Sequence, residues 1–170
     1  MEAKTLELAV LIVLSLISDI KTYKIKNYII LPFILFGIIT NCFIYGIRGV
    51  SISLWGMAAP VLVLFVFYAL RMLGAGDIKL FSAIGALMGV RFVLYSIAFS
   101  FIAGGVMALI IISINRDWKK RMLYLFNYLK CCFLANSLLP YTDFGEKNDG
   151  GKFHFSFAMA CGAIISLICL

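Results

Sequence analysis

The sequence predicts an all-α, polytopic membrane protein. Of its 170 residues, 64% are hydrophobic and only 14% are charged, and the mean hydropathy is +1.06. A soluble domain is typically about half apolar and about a quarter charged, and a chain of this size has too much surface to hide such an excess. These values exclude a water-soluble enzyme, a secreted module and a disordered protein.

Six apolar runs predict about six transmembrane helices, since one helical crossing takes roughly 20 apolar residues. Most of the polar separators between the runs are short, which leaves no room for a separate soluble domain. We therefore predict a single integral membrane domain over residues 1–170. The predicted spans are approximately 5–20, 28–47, 50–73, 78–90, 92–114 and 153–170.

Polar or glycine-containing residues separate the first five runs. The polar segment 21–27 follows the first run, and a short turn at residues 48–49 follows the second. The segment 74–79, Gly-Ala-Gly-Asp-Ile-Lys, follows the third run. Its first residue, Gly74, is expected to end that span in the left-handed conformation that glycine adopts easily. Arg91 separates the fourth run from the fifth.

The one long polar segment, residues 115–152, is predicted to be a cytoplasmic loop that contains a basic amphipathic helix. Its aromatic and aliphatic residues recur at helical spacing, with Lys and Arg residues distributed around them. This pattern is typical of a helix lying in the lipid headgroup layer, and it fits equally a helix that packs on the transmembrane bundle. The apolar positions are Trp118, Met122, Leu125, Phe126, Leu129 and Phe133.

The basic residues predict the orientation of the spans. The chain has 15 Lys and Arg residues against 8 Asp and Glu residues, a net charge of +7. With six spans and the N-terminus outside, 12 of the 15 basic residues fall on one side, which the positive-inside tendency identifies as cytoplasmic. We therefore expect a multi-pass protein of the cell (inner) membrane with both termini outside. This distribution identifies the lipid bilayer as a partner and indicates no nucleic-acid partner.

The composition predicts neither a metal site nor a bound cofactor. His154 is the single histidine, which excludes a multi-histidine metal site. The five cysteines include no Cys-x-x-Cys pair, so they indicate neither a zinc site nor a disulfide framework.

Three of the eight acidic residues lie close to apolar runs, where ionisable groups are costly and mark functional sites. Asp19 closes the first predicted span and Asp77 precedes the fourth, so both are expected at one depth, near the cytoplasmic interface. Glu7 lies at the other end of the first span, roughly 18 Å from Asp19 along a helix. We therefore expect Asp19 and Asp77 to act as a pair without Glu7.

Two facing carboxylates cannot both ionise easily, so the pair holds a single proton. One carboxylate can then accept a proton from water while the other protonates a carbonyl oxygen, which is what peptide-bond hydrolysis requires. Simpler roles stay open. Asp77 could only cap the start of a helix, a role that lowers the pKa of a carboxyl group. Asp19 could be an interfacial acid balanced by Lys21 and Lys24.

Taken together, these motifs resemble the type IV prepilin peptidases and the archaeal preflagellin peptidases, which are aspartic proteases of the inner or cell membrane. Residues 19–27 are similar to the family's Asp, basic residues and Ile-Pro-Asn, although Lys26 stands at the proline position. Residues 74–79 are similar to its Gly-x-Gly-Asp-x-Lys motif. Residues 153–162 are similar to its closing span, which often has proline where this chain has His154.

The resemblance implies an aspartic endopeptidase with Asp19 and Asp77 as the catalytic dyad. Gly74 and Gly76 would shape the turn that presents Asp77, and two further positions, Asn27 and Lys79, would support the site. The implied substrates are prepilin-like precursors: type IV pilin, Flp-type pilin or preflagellin, cleaved at the cytoplasmic face. Bifunctional relatives carry an extra segment with paired Cys-x-x-Cys motifs that is associated with N-methylation. Its absence predicts a short, peptidase-only form.

Three other functions remain compatible with the residues. Asp19 and Asp77 could bind ions or relay protons in a small ion- or proton-coupled transporter or channel. The chain could be a non-catalytic membrane subunit of a secretion or pilus system. A Gly-x-Gly-Asp protease of the presenilin kind would usually be longer, with more spans.

Overall fold

The structure, a computed structural model, describes residues 2–22, 27–70, 72–114 and 155–169. Every regular element in these ranges is an α-helix, which confirms the all-α class. The six helices coincide with the six predicted apolar runs, whereas the predicted loop helix within 115–152 lies outside the described residues. The helices are α1 Glu2–Thr22, α2 Asn27–Tyr45, α3 Ile47–Ala69, α4 Ala75–Met88, α5 Val90–Ile114 and α6 Phe155–Cys169.

Three segments in the described ranges are long and apolar enough to cross a membrane: Asn27–Tyr45, Ile47–Ala69 and Val90–Ile110. Most of their residues are not buried inside the protein, as expected for helices that face lipid. The last helix, α6, is apolar but shorter. A chain with several such helices is a membrane protein, and six crossings remain a prediction.

Helix α4 lies at the centre of the bundle and packs against α2, α3 and α5. All residues from Leu80 to Leu87 are buried. Glycines let the neighbouring helices come close, because a Cβ atom on Gly56 of α3 would collide with the carbonyl oxygen of Gly85 in α4. Gly37 of α2 similarly faces the backbone of Ala86. The central helix is therefore held by direct backbone contact over its second half.

The two remaining helices complete the bundle. Helix α6 packs mainly along α5, where Gly162 lies directly against the backbone of Ser100. Helix α1 contacts α2, α4 and α6, and it packs less extensively on α4 than α2 and α3 do. Leu8 and Leu11 are its fully buried apolar residues.

Two turns consist of a single residue. Gly46 joins α2 to α3 with φ 63°, and Gly89 joins α4 to α5 with φ 92°, a backbone region that favours glycine. Both turns lie at the end of the bundle where α1 begins and α4 ends, which we call the far end. The opposite end, where α1 ends and α4 begins, carries Asp19 and Asp77 and is called the aspartate end.

Candidate active site

Asp77 lies in the first turn of α4 and caps that helix. The backbone N–H of Gly74 donates to Asp77 Oδ2 at 3.3 Å, and the N–H of Asp77 donates to the Gly74 carbonyl oxygen at 3.1 Å. The capping role considered from the sequence is therefore present. This reciprocal pair orients the Asp77 carboxyl group toward the segment that precedes α4.

The predicted left-handed conformation of Gly74 is wrong. Its φ of −75° and ψ of 147° are those of an extended residue. The reason is that α3 already ends at Ala69, so Gly74 does not terminate that helix. It is instead the N-cap residue of α4, a position at which the backbone is normally extended. Gly76 follows it within the first turn of α4, next to Asp77.

Burial dominates the electrostatics of Asp77, which precedes the predicted fourth span and lies outside the three membrane-length segments. Burial raises the pKa of its carboxyl group to about 6. The hydrogen bond from Gly74 acts in the opposite direction, and the negative charge of Asp19 raises the pKa further. A capping role alone would lower this pKa. The Asp77 carboxyl group does cap the helix, but its burial keeps it protonated at mildly acidic pH.

Asp19 lies near the end of α1 and is partly buried. Its charge acts on the Asp77 carboxyl group, so the two side chains lie within electrostatic range of each other. The two aspartates come from helices separated by more than fifty residues of sequence. They occupy the same end of the bundle, because α1 runs toward the aspartate end and α4 starts from it.

A hydrogen bond joins α4 to α2 at the aspartate end. Lys79 Nζ on α4 donates to Asn27 Oδ1 in the first turn of α2, at 2.9 Å. The pair is exposed, so its contribution to stability is small. The structure thus brings together two of the supporting residues that the resemblance indicated.

Two open clefts lie at the aspartate end, although neither is lined by an aspartate itself. One, of about 490 Å³, is lined by Gly74 and Ala75 together with the end of α3. The other, of about 460 Å³, lies between α1 and α2 and is lined by Ser18 next to Asp19 and by Phe33 among other apolar residues. Gly74 of the first cleft donates its N–H to Asp77, and Ser18 of the second cleft directly precedes Asp19. Within the described ranges, no group of three or more His, Cys, Asp or Glu residues is arranged to hold a metal ion.

A polar cluster at the far end was not predicted as a unit. Thr40 Oγ1 donates to Glu7 Oε1 at 3.0 Å, and Lys4 Nζ donates to Asn41 Oδ1 at 2.6 Å. Asn41 is fully buried, and it also donates to Ser53 Oγ at 2.8 Å. The sequence signal was an asparagine and a serine inside apolar runs, where an unpaired polar group is costly. Glu7 belongs to this cluster and lies away from the aspartates.

Comparisons with curated proteins and with solved structures give no match. A sequence model of the type IV leader peptidase family matches residues 6–109, which is more than half of the chain. The matched region contains Asp19, Asp77 and the Gly-x-Gly-Asp segment, together with the helices that hold them. The chain therefore belongs to the type IV leader peptidase family.

Proposed function

We propose that this protein is a membrane aspartic endopeptidase that cleaves the leader peptide from prepilin-like precursors. Family membership implies leader-peptide cleavage, and the aspartic mechanism is our inference. One observation supports this inference most directly: burial, and to a smaller extent the charge of Asp19, raise the pKa of the Asp77 carboxyl group to about 6. An aspartic protease requires two interacting carboxyl groups, one of which carries a proton.

The raised pKa of Asp77 assigns the roles in this proposal. Asp77 is the acid and Asp19 is the base. The Asp19 carboxylate takes a proton from a water molecule whose oxygen bonds to the scissile carbonyl carbon, while Asp77 gives its proton to the carbonyl oxygen. The intermediate then breaks its carbon–nitrogen bond as Asp19 protonates the leaving nitrogen and Asp77 recovers a proton from a hydroxyl group. Both carboxyl groups return to their starting states.

The membrane position of the dyad accounts for the substrate class. A prepilin-like precursor has a short basic leader followed by an apolar helix. That helix would lie beside the bundle, near the cleft between α1 and α2 or the cleft before α4, and leave the leader junction at the aspartate end. The excess of basic residues on the loops of this end supports a cytoplasmic site. The sequence has no paired Cys-x-x-Cys motifs, which supports a peptidase without methyltransferase activity.

Co-expression with a pilin or preflagellin precursor tests the proposal. The size of the precursor is compared in cells that produce the wild type, Asp19→Asn or Asp77→Asn. Both variants should leave the precursor uncleaved, because each removes one of the two groups that move protons. Glu7→Gln is the matched control, since it removes an α1 carboxylate at the far end and should preserve cleavage. Cleavage by a well-folded Asp19→Asn or Asp77→Asn variant would overturn the dyad.

A further inference from the structure

Helix α4 is shorter than the hydrocarbon layer of a membrane. Its 14 residues extend about 21 Å, whereas the hydrocarbon layer is about 30 Å thick. With Asp77 at the interface, the last turn of α4 therefore lies inside the apolar layer. The last carbonyl groups of any helix lack partners within that helix, and water is not available there to supply them.

Side chains from two neighbouring helices supply these partners. The amide nitrogen of Asn41 lies within hydrogen-bond distance of three acceptors, which share its two hydrogens. They are the carbonyl oxygens of Ala86 at 2.9 Å and of Leu87 at 3.1 Å, and Ser53 Oγ at 2.8 Å. Ser53 Oγ donates to the Ala86 carbonyl oxygen at 2.9 Å. The N–H of Gly89 donates to the Gly85 carbonyl oxygen at 2.8 Å. The end of α4 is thus capped from outside, with Asn41 on α2 as the main donor.

The same side chain is also tied to α1. Its carbonyl oxygen, Asn41 Oδ1, accepts a hydrogen bond from Lys4 Nζ at 2.6 Å. The ammonium group of Lys4 also lies 4.7 Å from the centre of the Tyr45 ring, which holds it over α2. One buried amide therefore connects the first turn of α1 to the last turn of α4, the two helices that carry the aspartates at their other ends.

This arrangement fixes how far the two helices are displaced along their axes. The glycine contacts of Gly37, Gly56 and Gly85 set how closely α2, α3 and α4 approach sideways. Hydrogen bonds from a fixed amide to two successive carbonyl groups resist sliding along the axis, because a shift of α4 would break both bonds. Without the hydrogen bonds from Asn41, the carbonyl groups at the end of α4 could regain their lost partners only if α4 moved or its last turn rearranged.

We propose that Asn41 is a positioning residue of this peptidase, which sets the height of Asp77 relative to Asp19 by capping α4 and holding Lys4 of α1. The inference rests on the proposed function for its catalytic consequence. Its structural part concerns only the relative height of two helices, and that part is measurable without substrate.

The experiment compares three variants of the full chain in lipid nanodiscs. Asn41→Leu removes the amide at similar volume, and Asn41→Ser keeps a shorter hydroxyl donor. Thr40→Ser is the matched control, because Thr40 precedes Asn41 on α2, makes no hydrogen bond to α4, and as serine keeps the hydroxyl group that bonds Glu7 of α1. The readouts are kcat and KM for a precursor, and the membrane depths of spin-labelled amino acids introduced at Ile20 of α1 and Ala75 of α4, both exposed.

For Asn41→Leu we expect kcat to fall about 10- to 100-fold, the range that a misplacement of about 1 Å can cause, with little change in KM. The difference in depth between the two labels should change as well. Asn41→Ser should recover part of both effects, and Thr40→Ser should match the wild type in both.

A wild-type kcat per folded molecule together with an unchanged depth difference in Asn41→Leu would overturn the inference, even if that variant folded in lower yield. A wild type that cleaves no precursor would contradict the proposed function instead. The difference in depth between the labels would then still decide whether Asn41 sets the height of α4.

Discussion

The Asp77 side chain experiences two opposing influences. As a cap it accepts a hydrogen bond from Gly74, which favours the ionised form, and as a partly buried group beside Asp19 it is driven toward the neutral form. Burial is the larger influence, and the pKa is about 6. A single carboxyl group can therefore be held rigidly by the backbone and still be an acid weak enough to carry a proton to a substrate.

This balance predicts the pH dependence of activity. In the proposed mechanism Asp77 acts in its protonated form, and that form is lost as the pH rises through about 6. For the free enzyme, kcat/KM should therefore fall on the alkaline side, approaching a tenfold decrease per pH unit well above the pKa. The measurement is cleavage of a purified precursor in detergent between pH 5 and pH 9, with precursor concentrations well below KM. A kcat/KM that still rises between pH 7 and pH 8 would contradict the assignment of Asp77 as the acid.

Among the helices, α4 is the element that organises the others. Its second half is enclosed by α2, α3 and α5, and its first turn presents Asp77. Because Gly56 and Gly85 bring two backbones into direct contact, the position of α4 depends on residues that have no side chain. Polar groups at both ends of α4 complete the arrangement: Asp77 with Gly74 at the start, and Asn41 with Ser53 at the end.

Substitution of these glycines should separate α3 from α4. In Gly85→Ala the new Cβ atom would collide with the carbonyl oxygen of Gly56, so the helices must move apart. We expect a loss of about 1–3 kcal/mol in the free energy of unfolding, as for other overpacked sites. Gly105→Ala is the control, because a Cβ atom there meets no atom within 4 Å. Thermal unfolding in detergent compares the two, and an equal midpoint for both variants would contradict the close contact.

Several features of these elements were predictable and others were not. The apolar runs predicted the helices because lipid favours helices with internally satisfied backbones. The alternation of the spans predicted that Asp19, at the end of the first, and Asp77, at the start of the fourth, share one end. The prediction for the conformation of Gly74 was wrong. The apolar run continues to Leu73, but α3 already ends at Ala69, so Gly74 does not terminate that helix. The partner of Asn41 was not predictable, since Ala86 lies 45 residues away and a backbone carbonyl leaves no signature in the sequence.

For the whole molecule, the orientation in the membrane decides where cleavage occurs. The helices alternate in direction, so α1, α3 and α5 end, and α2, α4 and α6 begin, at the aspartate end. With six spans, 12 of the 15 Lys and Arg residues fall on this side. Basic residues are retained on the cytoplasmic side of short loops, so the dyad should face the cytoplasm.

Reporter fusions test this orientation. Alkaline phosphatase is active only outside the cytoplasm, so a fusion after Leu170 should be active and a fusion within residues 115–152 should be inactive. Fusions of a fluorescent protein that matures only in the cytoplasm should give the reverse pattern, which controls for differences in expression. An active phosphatase fused within residues 115–152 would reverse the proposed topology and place the aspartates outside.

The one-residue turns at Gly46 and Gly89 have a consequence for access to the enzyme. Helices joined by a single residue leave almost no backbone protruding between α2 and α3 or between α4 and α5 at the far end. An antibody or a polar inhibitor approaching from that side would find little exposed backbone to bind at these two turns. A compound that binds at the aspartate end would therefore have to approach from that end or enter sideways through the lipid.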